Sequence, residues 1–410
     1  MATLNFFQFL PLYRLRYSPS RNNKSIICVE KWMKKLTLST LSLALLGVAG
    51  AAHAQSSVTL YGVIDESFQY VHNADTNNNS LYHLFGGNLQ GNRWGLKGQE
   101  DLGGGLKAIF QLENGFDINN GKLGQGSRMF GRQAYVGLTH DTYGTVTLGR
   151  QYDPVVDLVQ PLTADNYWGS TFTTPGDVDN NDNSSRTNSA IKYTSPVYAG
   201  FQFEAFYAFG GVAGSTGSGQ TWSLAATYAN GPFSVAAGYI VMGNLNGPRT
   251  TWGGTSDGTF DTSTTAAING AFTTAKSINI ASVAGQYVAG PFTFGLRYSN
   301  AMYKHDAFSA FGATQRYDVG AGFVNYQLTP AALIGLGYTF THGKGNGASQ
   351  TYNQVSLGGD YNLSKRTDVY LVGAYQRASG NGVTASVADY GYDSNARSSE
   401  IVSLGIRHKF

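Results

Sequence analysis

The residues of this chain that could carry chemistry are few, and most of them fail a spacing test. Six histidines follow residue 54 (His72, His83, His140, His305, His342 and His408), and none stands in a motif that pairs an activated serine or acid with a positioned base. A hydrolytic centre therefore lacks its parts. Asp177-x-Asp179-x-Asn181 begins like a calcium loop, yet Asp182 stands where that loop needs glycine and Asn188 where it needs the bidentate glutamate. Gly121-x-x-Gly124-x-Gly126 lacks the following helix that would make it a phosphate cradle, so no metal or other cofactor is expected. What remains is fixed charge. Arg93 and Lys97 share one strand face with Gly95, opposite Trp94 and Leu96. The stretch 151–186 carries Asp153, Asp157, Asp165, Asp177, Asp179 and Asp182 and is too long for a surface connection without a role. Such charges steer and filter solutes; they do not make or break bonds.

The elements that must hold these charges are strands. Side-chain character alternates with a period of two: Trp222, Leu224, Ala226 and Tyr228 against Ser223, Ala225 and Thr227, and Phe292, Phe294, Leu296 and Tyr298 against Thr293, Gly295, Arg297 and Ser299. In 316–323, Tyr317, Val319, Ala321 and Phe323 oppose Arg316, Asp318, Gly320 and Gly322, and the charges are expected on the watery side. The final residues repeat the pattern, with Val402, Leu404, Ile406, His408 and Phe410 on an apolar face and Ser403, Gly405, Arg407 and Lys409 on a polar one. Short turn signals fall at 102–105, 141–143, 196–199, 230–231, 289–290, 329–330 and 364–366. Between them lie longer polar stretches near 72–90, 118–127, 151–186, 211–219, 244–276, 304–314, 343–349 and 378–396. Seven turns alternating with eight loops imply an all-β, 16-stranded antiparallel transmembrane β-barrel with both termini at the short-turn end. Sixteen strands enclose an aqueous channel. Aromatic residues crowd the strand ends beside the turns (Tyr228, Phe233, Tyr287, Phe292, Tyr361 and Phe410), as an interfacial girdle requires. A soluble sandwich or propeller shares the period but not the girdle or the two-ended loop lengths.

Residues 33–54 read as an export signal: Met33-Lys34-Lys35, an apolar run from Leu36 to Ala52, then Ala52-His53-Ala54 with cleavage between Ala54 and Gln55. Residues 1–32 precede a complete signal and are expected to be a mis-set or non-native extension. The whole chain has 28 basic and 25 acidic residues. Residues 1–54 hold 7 and 1 of these, so residues 55–410 carry 21 against 24, a net charge of −3. Nucleic acid is not an expected partner, because no basic cluster survives to neutralise phosphates. The single cysteine, Cys28, leaves with the same segment, which removes disulfide and thiol chemistry. No apolar run after residue 54 is long enough for a membrane helix.

Three segments carry a family resemblance: RWGLKGQEDLGGGLKAIFQLE at 93–113, FGRQAYVGL at 130–138 and TVTLGRQYDPVVD at 145–157. With the terminal Phe410 they resemble the trimeric general-diffusion porins of Gram-negative outer membranes, of the β-proteobacterial type, across residues 55–410. The resemblance implies a long third loop, 151–186, folded into the pore of each barrel of a homotrimer. It implies that Arg93, Arg132 and Arg150 sit on adjacent strands as a basic ladder, that Lys192 occupies a matching basic position, and that Arg186 lies close by. Loop acids among Asp153, Asp157, Asp165, Asp177 and Asp179 would face that ladder, setting a transverse field that filters ions and small hydrophilic solutes diffusing passively. Outer-membrane lipid and the barrel assembly machinery, which reads Phe410, are the implied partners. Two departures stand out: Thr174-Pro175-Gly176-Asp177-Val178-Asp179 replaces the enteric loop tip, and Val63 stands where the enteric form has a pore lysine. The alternatives are a substrate-selective channel, for which Tyr167 and Trp168 are a meagre aromatic slide, and, more remotely, an outer-membrane enzyme.

Overall fold

The computed structural model describes residues 56–257, 267–388, 390–392 and 394–410. The expected signal, its Ala54–Gln55 cleavage point and the 1–32 extension lie outside these residues. Among the described residues, seventeen strands form one antiparallel sheet closed on itself. Ser57–His72 pairs with Ser398–Lys409 on one side and with both Leu81–Gly86 and Arg93–Gly103 on the other. The last two are halves of one stave, so the barrel has sixteen staves, as the alternation of turns and loops implies.

The interruption between those halves was hidden inside the polar stretch 72–90. Asp65, fully buried on the lumenal face, accepts the backbone N–H groups of Leu89 at 2.7 Å and Gln90 at 2.8 Å. Its own N–H donates to Asn92 Oδ1 at 2.6 Å. One carboxylate thus pulls residues 87–92 into the barrel and sets Arg93 part-way down the wall. The stretch 343–349 needs a second correction. It is not a long loop, because Ala332–Gly345 runs straight into Ala348–Asn362 through Asn346 and Gly347, both with positive φ (46° and 79°), the pair a tight hairpin favours.

Parity holds round the barrel. Leu296, Leu404 and Ile406 are exposed on the outside, while Ser299 and Ser403 are buried within. The girdle aromatics Tyr228, Phe233, Tyr287, Phe292, Tyr361 and Phe410 are all exposed. The strand Gln315–Thr329 reverses the expected assignment: Tyr317 and Val319 are wholly buried, and Arg316 and Asp318 point outward. The cause lies in the lumen. Its upper end, toward the long loops, is filled by Val178, Phe272 and Phe311 from inserted segments, which pack with Tyr303 and Tyr317 as a core. Apolar side chains are drawn inward there, and the polar face is left outside. Phe410 and Gly62 exchange backbone hydrogen bonds of 3.0 and 3.1 Å, and the Phe410 ring covers the place a Gly62 Cβ would take.

Candidate functional site

The segment 151–186 crosses the lumen because local capping and wall glycines make room for it. Asp153 caps the short helix Pro154–Leu158, accepting from Val155 N at 2.8 Å, and proline at the first turn needs no N–H partner there. A second turn, Asp165–Trp168, carries Trp168 to the far wall, where it is fully buried. Its indole donates to Asn325 Oδ1 at 2.8 Å and stacks on Phe172 with centroids 5.6 Å apart. Gly335 and Gly358 lie under Trp168, and Gly337 under Phe172; a Cβ at any of the three would collide with these rings. Asp179 then bonds Arg297 and Ser299, and Tyr303 donates to Val178 O at 3.0 Å. The loop is therefore bolted to the wall opposite its own ends.

Facing it is a basic wall organised round one carboxylate. Glu113, 4% exposed, lies 2.8 Å from Arg132 Nε and 3.8 Å from Arg93 Nε. It also accepts from Tyr61 at 2.8 Å and Tyr152 at 3.0 Å. The Tyr152 ring lies near two guanidinium groups, Arg132 at 5.8 Å and Arg186 at 5.5 Å. Arg186 donates to Ser184 O at 3.1 Å, but its buried Nε has no hydrogen-bond partner among the described residues. Burial and the neighbouring Arg132 push the Arg186 guanidinium down to about 10. These groups border a polar cavity of about 610 Å³ whose other side is formed by Gln160, Asp165, Asn166 and Asp182 of the loop.

The expected ladder needs revising in three places. Arg93 and Arg132 do not occupy adjacent strands: Leu106–Gly115 runs between theirs, and Glu113 on it was missed, although its register opposite Gly95 puts it on the face that carries Arg93 and Lys97. Arg150 does pair across from Ala134 but does not stand in the open pore. It is held by Asp257, Gly131 O at 2.7 Å and Asn188 at 2.7 Å. Lys192 is tied to Asp157 and to Tyr152 O at 3.2 Å, so it tethers the loop helix. Lys97 lies nearer the short-turn end, 5.3 Å from the Tyr61 ring centroid.

Most of the expected eyelet acids have internal tasks. Asp153 is a helix cap, and Asp177, completely buried, accepts from Asp182 N at 2.9 Å and Ser184 N at 3.0 Å. Asp179 is the far-wall bolt. Only Asp157 and Asp165 of the five border the cavity, joined by Asp182. Burial, with Asp182 beside it, holds the Asp165 carboxyl well above the usual range, and burial raises Asp182 as well. Burial and then Asp182 and Asp179 push Asp177 up to about 8, and burial and then Asp157 push Asp153 up to about 6. No local sequence signal announces Asp257: it lies in a Gly/Thr/Ser-rich stretch, and its edge bridge, Ser256 with Thr187, forms only when 244–257 also folds in.

Comparison with known proteins agrees with this architecture. The model of the Gram-negative porin family matches residues 40–381. An outer membrane porin protein of Bordetella pertussis is 31% identical over 92% of this chain and 100% of its own length. Outer membrane porin protein 32 of Delftia acidovorans is also 31% identical, over the same shares. Among solved structures, the anion-selective porin from Comamonas acidovorans has a TM-score of 0.69 at 24% identity, covering 87% of this chain and 100% of that one, a likeness of fold. This chain belongs to the Gram-negative porin family, and its barrel is an outer-membrane channel through which solutes pass by passive diffusion.

Proposed function

We propose that the constriction passes small hydrophilic solutes with a preference for anions. The observation that carries this reading is the imbalance of charge at the cavity: Arg93 and Arg132 share one carboxylate, Glu113, with Arg186 beside them at the Tyr152 ring, while Asp153, Asp177 and Asp179 of the loop are spent on its own fold and Asp157 on Lys192. The unpartnered Nε of Arg186 supports it, since a buried donor at the cavity edge is satisfied by a passing anion. Charges lining a narrow pore act on a solute within the screening length, roughly 8 Å at physiological salt. The Comamonas porin, anion-selective by its name, is consistent with the same sign. Transport on this reading involves no bond chemistry.

Around this core we place a homotrimer, as a Vibrio cholerae OmpT structure of the same fold is described in a trimer form. We also place export with cleavage between Ala54 and Gln55, residues 1–32 lying outside the functional protein, and recognition of Phe410 by the barrel assembly machinery. Reversal potentials of single channels in a salt gradient test the central claim: wild type should favour the anion. The Arg93→Gln/Arg132→Gln/Arg186→Gln protein should lose about tenfold in anion-to-cation permeability ratio. An unchanged ratio removes these residues from the filter. Conductance steps in threes and N-terminal sequencing of the purified protein test the assembly and the cleavage.

A further inference from the structure

A group of aromatic rings leads from the long-loop end of the lumen into the charged cavity, and they are not the loop's own Tyr167 and Trp168. Those two are taken up by the far wall, Trp168 against Asn325 and Tyr167 against Phe323 with centroids 5.6 Å apart. On the near side, Tyr82 and Leu84 are exposed on the outside, so the period of two turns His83 and Phe85 of Leu81–Gly86 into the lumen. Tyr390 and Tyr392 reach them from the stretch 378–396, which is carried inward where Ala388 N–H donates to Gln354 Oε1 at 3.0 Å. Phe85 meets Tyr390 edge to face at 5.1 Å, His83 meets Tyr392 at 6.2 Å, and Tyr390 and Tyr392 stack at 6.1 Å between centroids. The hydroxyls are tied back: Tyr390 donates to Asn88 and shares a 2.7 Å hydrogen bond with Thr171, and Tyr392 donates to Gln69.

The turn 87–92 sets these rings beside the guanidinium groups. Phe85 stands just before it, and Asp65 O accepts its first amide, Gly87 N–H, at 2.8 Å. Asn88 within it receives the Tyr390 hydroxyl, and the Arg132 guanidinium lies against Gly91, 3.1 Å from the place of a Cβ. Phe85, Leu89 and Tyr390 therefore border the same cavity of about 610 Å³ as Arg93, Arg132 and Arg186. Phe85 is half-buried and Tyr390 only 3% exposed, so the surface on offer is the Phe85 ring and one edge of Tyr390. Aromatic rings prefer edge-to-face or offset partners, and such pairs gain more than their buried area alone. A cation is also drawn to ring faces, but here it would meet three guanidinium groups. A neutral ring leaves the arginines unused, and a bare anion leaves the rings unused. We propose that, among the anions it passes, this constriction favours aromatic monocarboxylates, holding the carboxylate on the arginine wall and the ring against Phe85 and the edge of Tyr390. This rests on the anion preference of the same wall.

Block of the chloride current through single channels, with benzoate, acetate and benzamide added in turn, separates ring from charge. Benzoate should block about tenfold more tightly than acetate, and benzamide, which has the ring without the charge, should not block. Phe85→Leu keeps apolar bulk under Tyr390 and should lower the benzoate-to-acetate ratio about fivefold, while Phe85→Tyr keeps the ring and should retain it. Each ratio is taken within one variant, and heat-modifiable migration on gels shows which variants are folded barrels. The wild-type measurements decide the matter even where a variant does not fold. Equal block by benzoate and acetate, block by benzamide as tight as by benzoate, or a wild-type ratio in Phe85→Leu overturns the proposal and leaves the preference for chloride standing. A wild-type channel that does not prefer chloride to potassium overturns the anion reading, and this one with it.

Discussion

The two sides of the constriction are built on opposite plans. On the basic wall, side chains reach the cavity from separate staves and from the end of the loop, and one acid holds several of them together: Glu113 touches Arg93, Arg132, Tyr61 and Tyr152. On the loop, acids are numerous but introverted. Asp153, Asp177 and Asp179 cap a helix, brace a turn and bolt the loop to Arg297. A buried carboxylate with its hydrogen bonds satisfied holds backbone in place, and the field it sends into water is largely cancelled by its donors. Counting charged residues along a pore segment therefore misjudges its field; what matters is which of them retain unsatisfied capacity toward the solvent.

The sharpest way to break the comparison is Asp179→Ala. It strands Arg297, whose side chain is 4% exposed, and should destabilise the docked loop by about 3–5 kcal/mol. Larger and noisier conductance with little change in selectivity is the expected record; a quiet channel of altered selectivity would mean that Asp179 belongs to the filter after all. Asp257→Asn should have a smaller effect, of the other kind. It releases Arg150, and also Arg128 at 3.4 Å, into the basic wall. Reversal potentials should then show anion preference rising by about twofold. If the preference falls, Arg150 does not reach the solute path even when released.

The smallest effect concerns pH. Asp153 and Asp177 have folded-state values pushed up to about 6 and about 8, above the ordinary carboxylate value that applies when the chain is unfolded. Between those limits the folded loop binds more protons than the unfolded one, so loop stability is highest at the acid end and declines as pH rises toward about 8. Raising the pH through that window should loosen the loop and raise channel noise, with only a slight fall in anion preference, because Asp153 and Asp177 keep their charge among their own donors. Single-channel noise and reversal potential measured against pH check this, and Asp177→Asn should remove the upper part of the dependence. A flat profile in wild type would show that the loop acids are already ionised.

The barrel was legible because its signals are local. Period-two alternation, turn dipeptides such as Asn230-Gly231 and the aromatic strand ends each need only a few neighbouring residues. The same locality explains the misreadings. Arg316 and Asp318 obeyed the expected parity, but which side was watery depended on Phe272 and Phe311 filling the lumen from distant loops. Asn346-Gly347 was absorbed into a polar stretch because strands that rise beyond the apolar band carry polar residues on both faces. At the constriction, Arg93, Arg132 and Arg186 were named from motif and proximity, and all three border the cavity. Glu113 and Asp257 were not, since a counter-charge is recognisable only once its partner, 107 residues away for Asp257 and Arg150, is beside it.

The meeting of Gly62 with Phe410 has a consequence for how the molecule comes into being. Closing the cylinder pairs the Ser57–His72 strand with Ser398–Lys409, contacts separated by nearly the whole chain. Until that seam is sewn, two unsatisfied sheet edges remain open, each a template for pairing with a foreign strand. Contacts at such sequence separation form slowly, because chain entropy must be spent before they reward it. Substituting Gly62 with a larger residue would block the Phe410 ring at this seam, so the damage would appear as a failure to close and a gain in aggregation. Channels that did close would conduct normally.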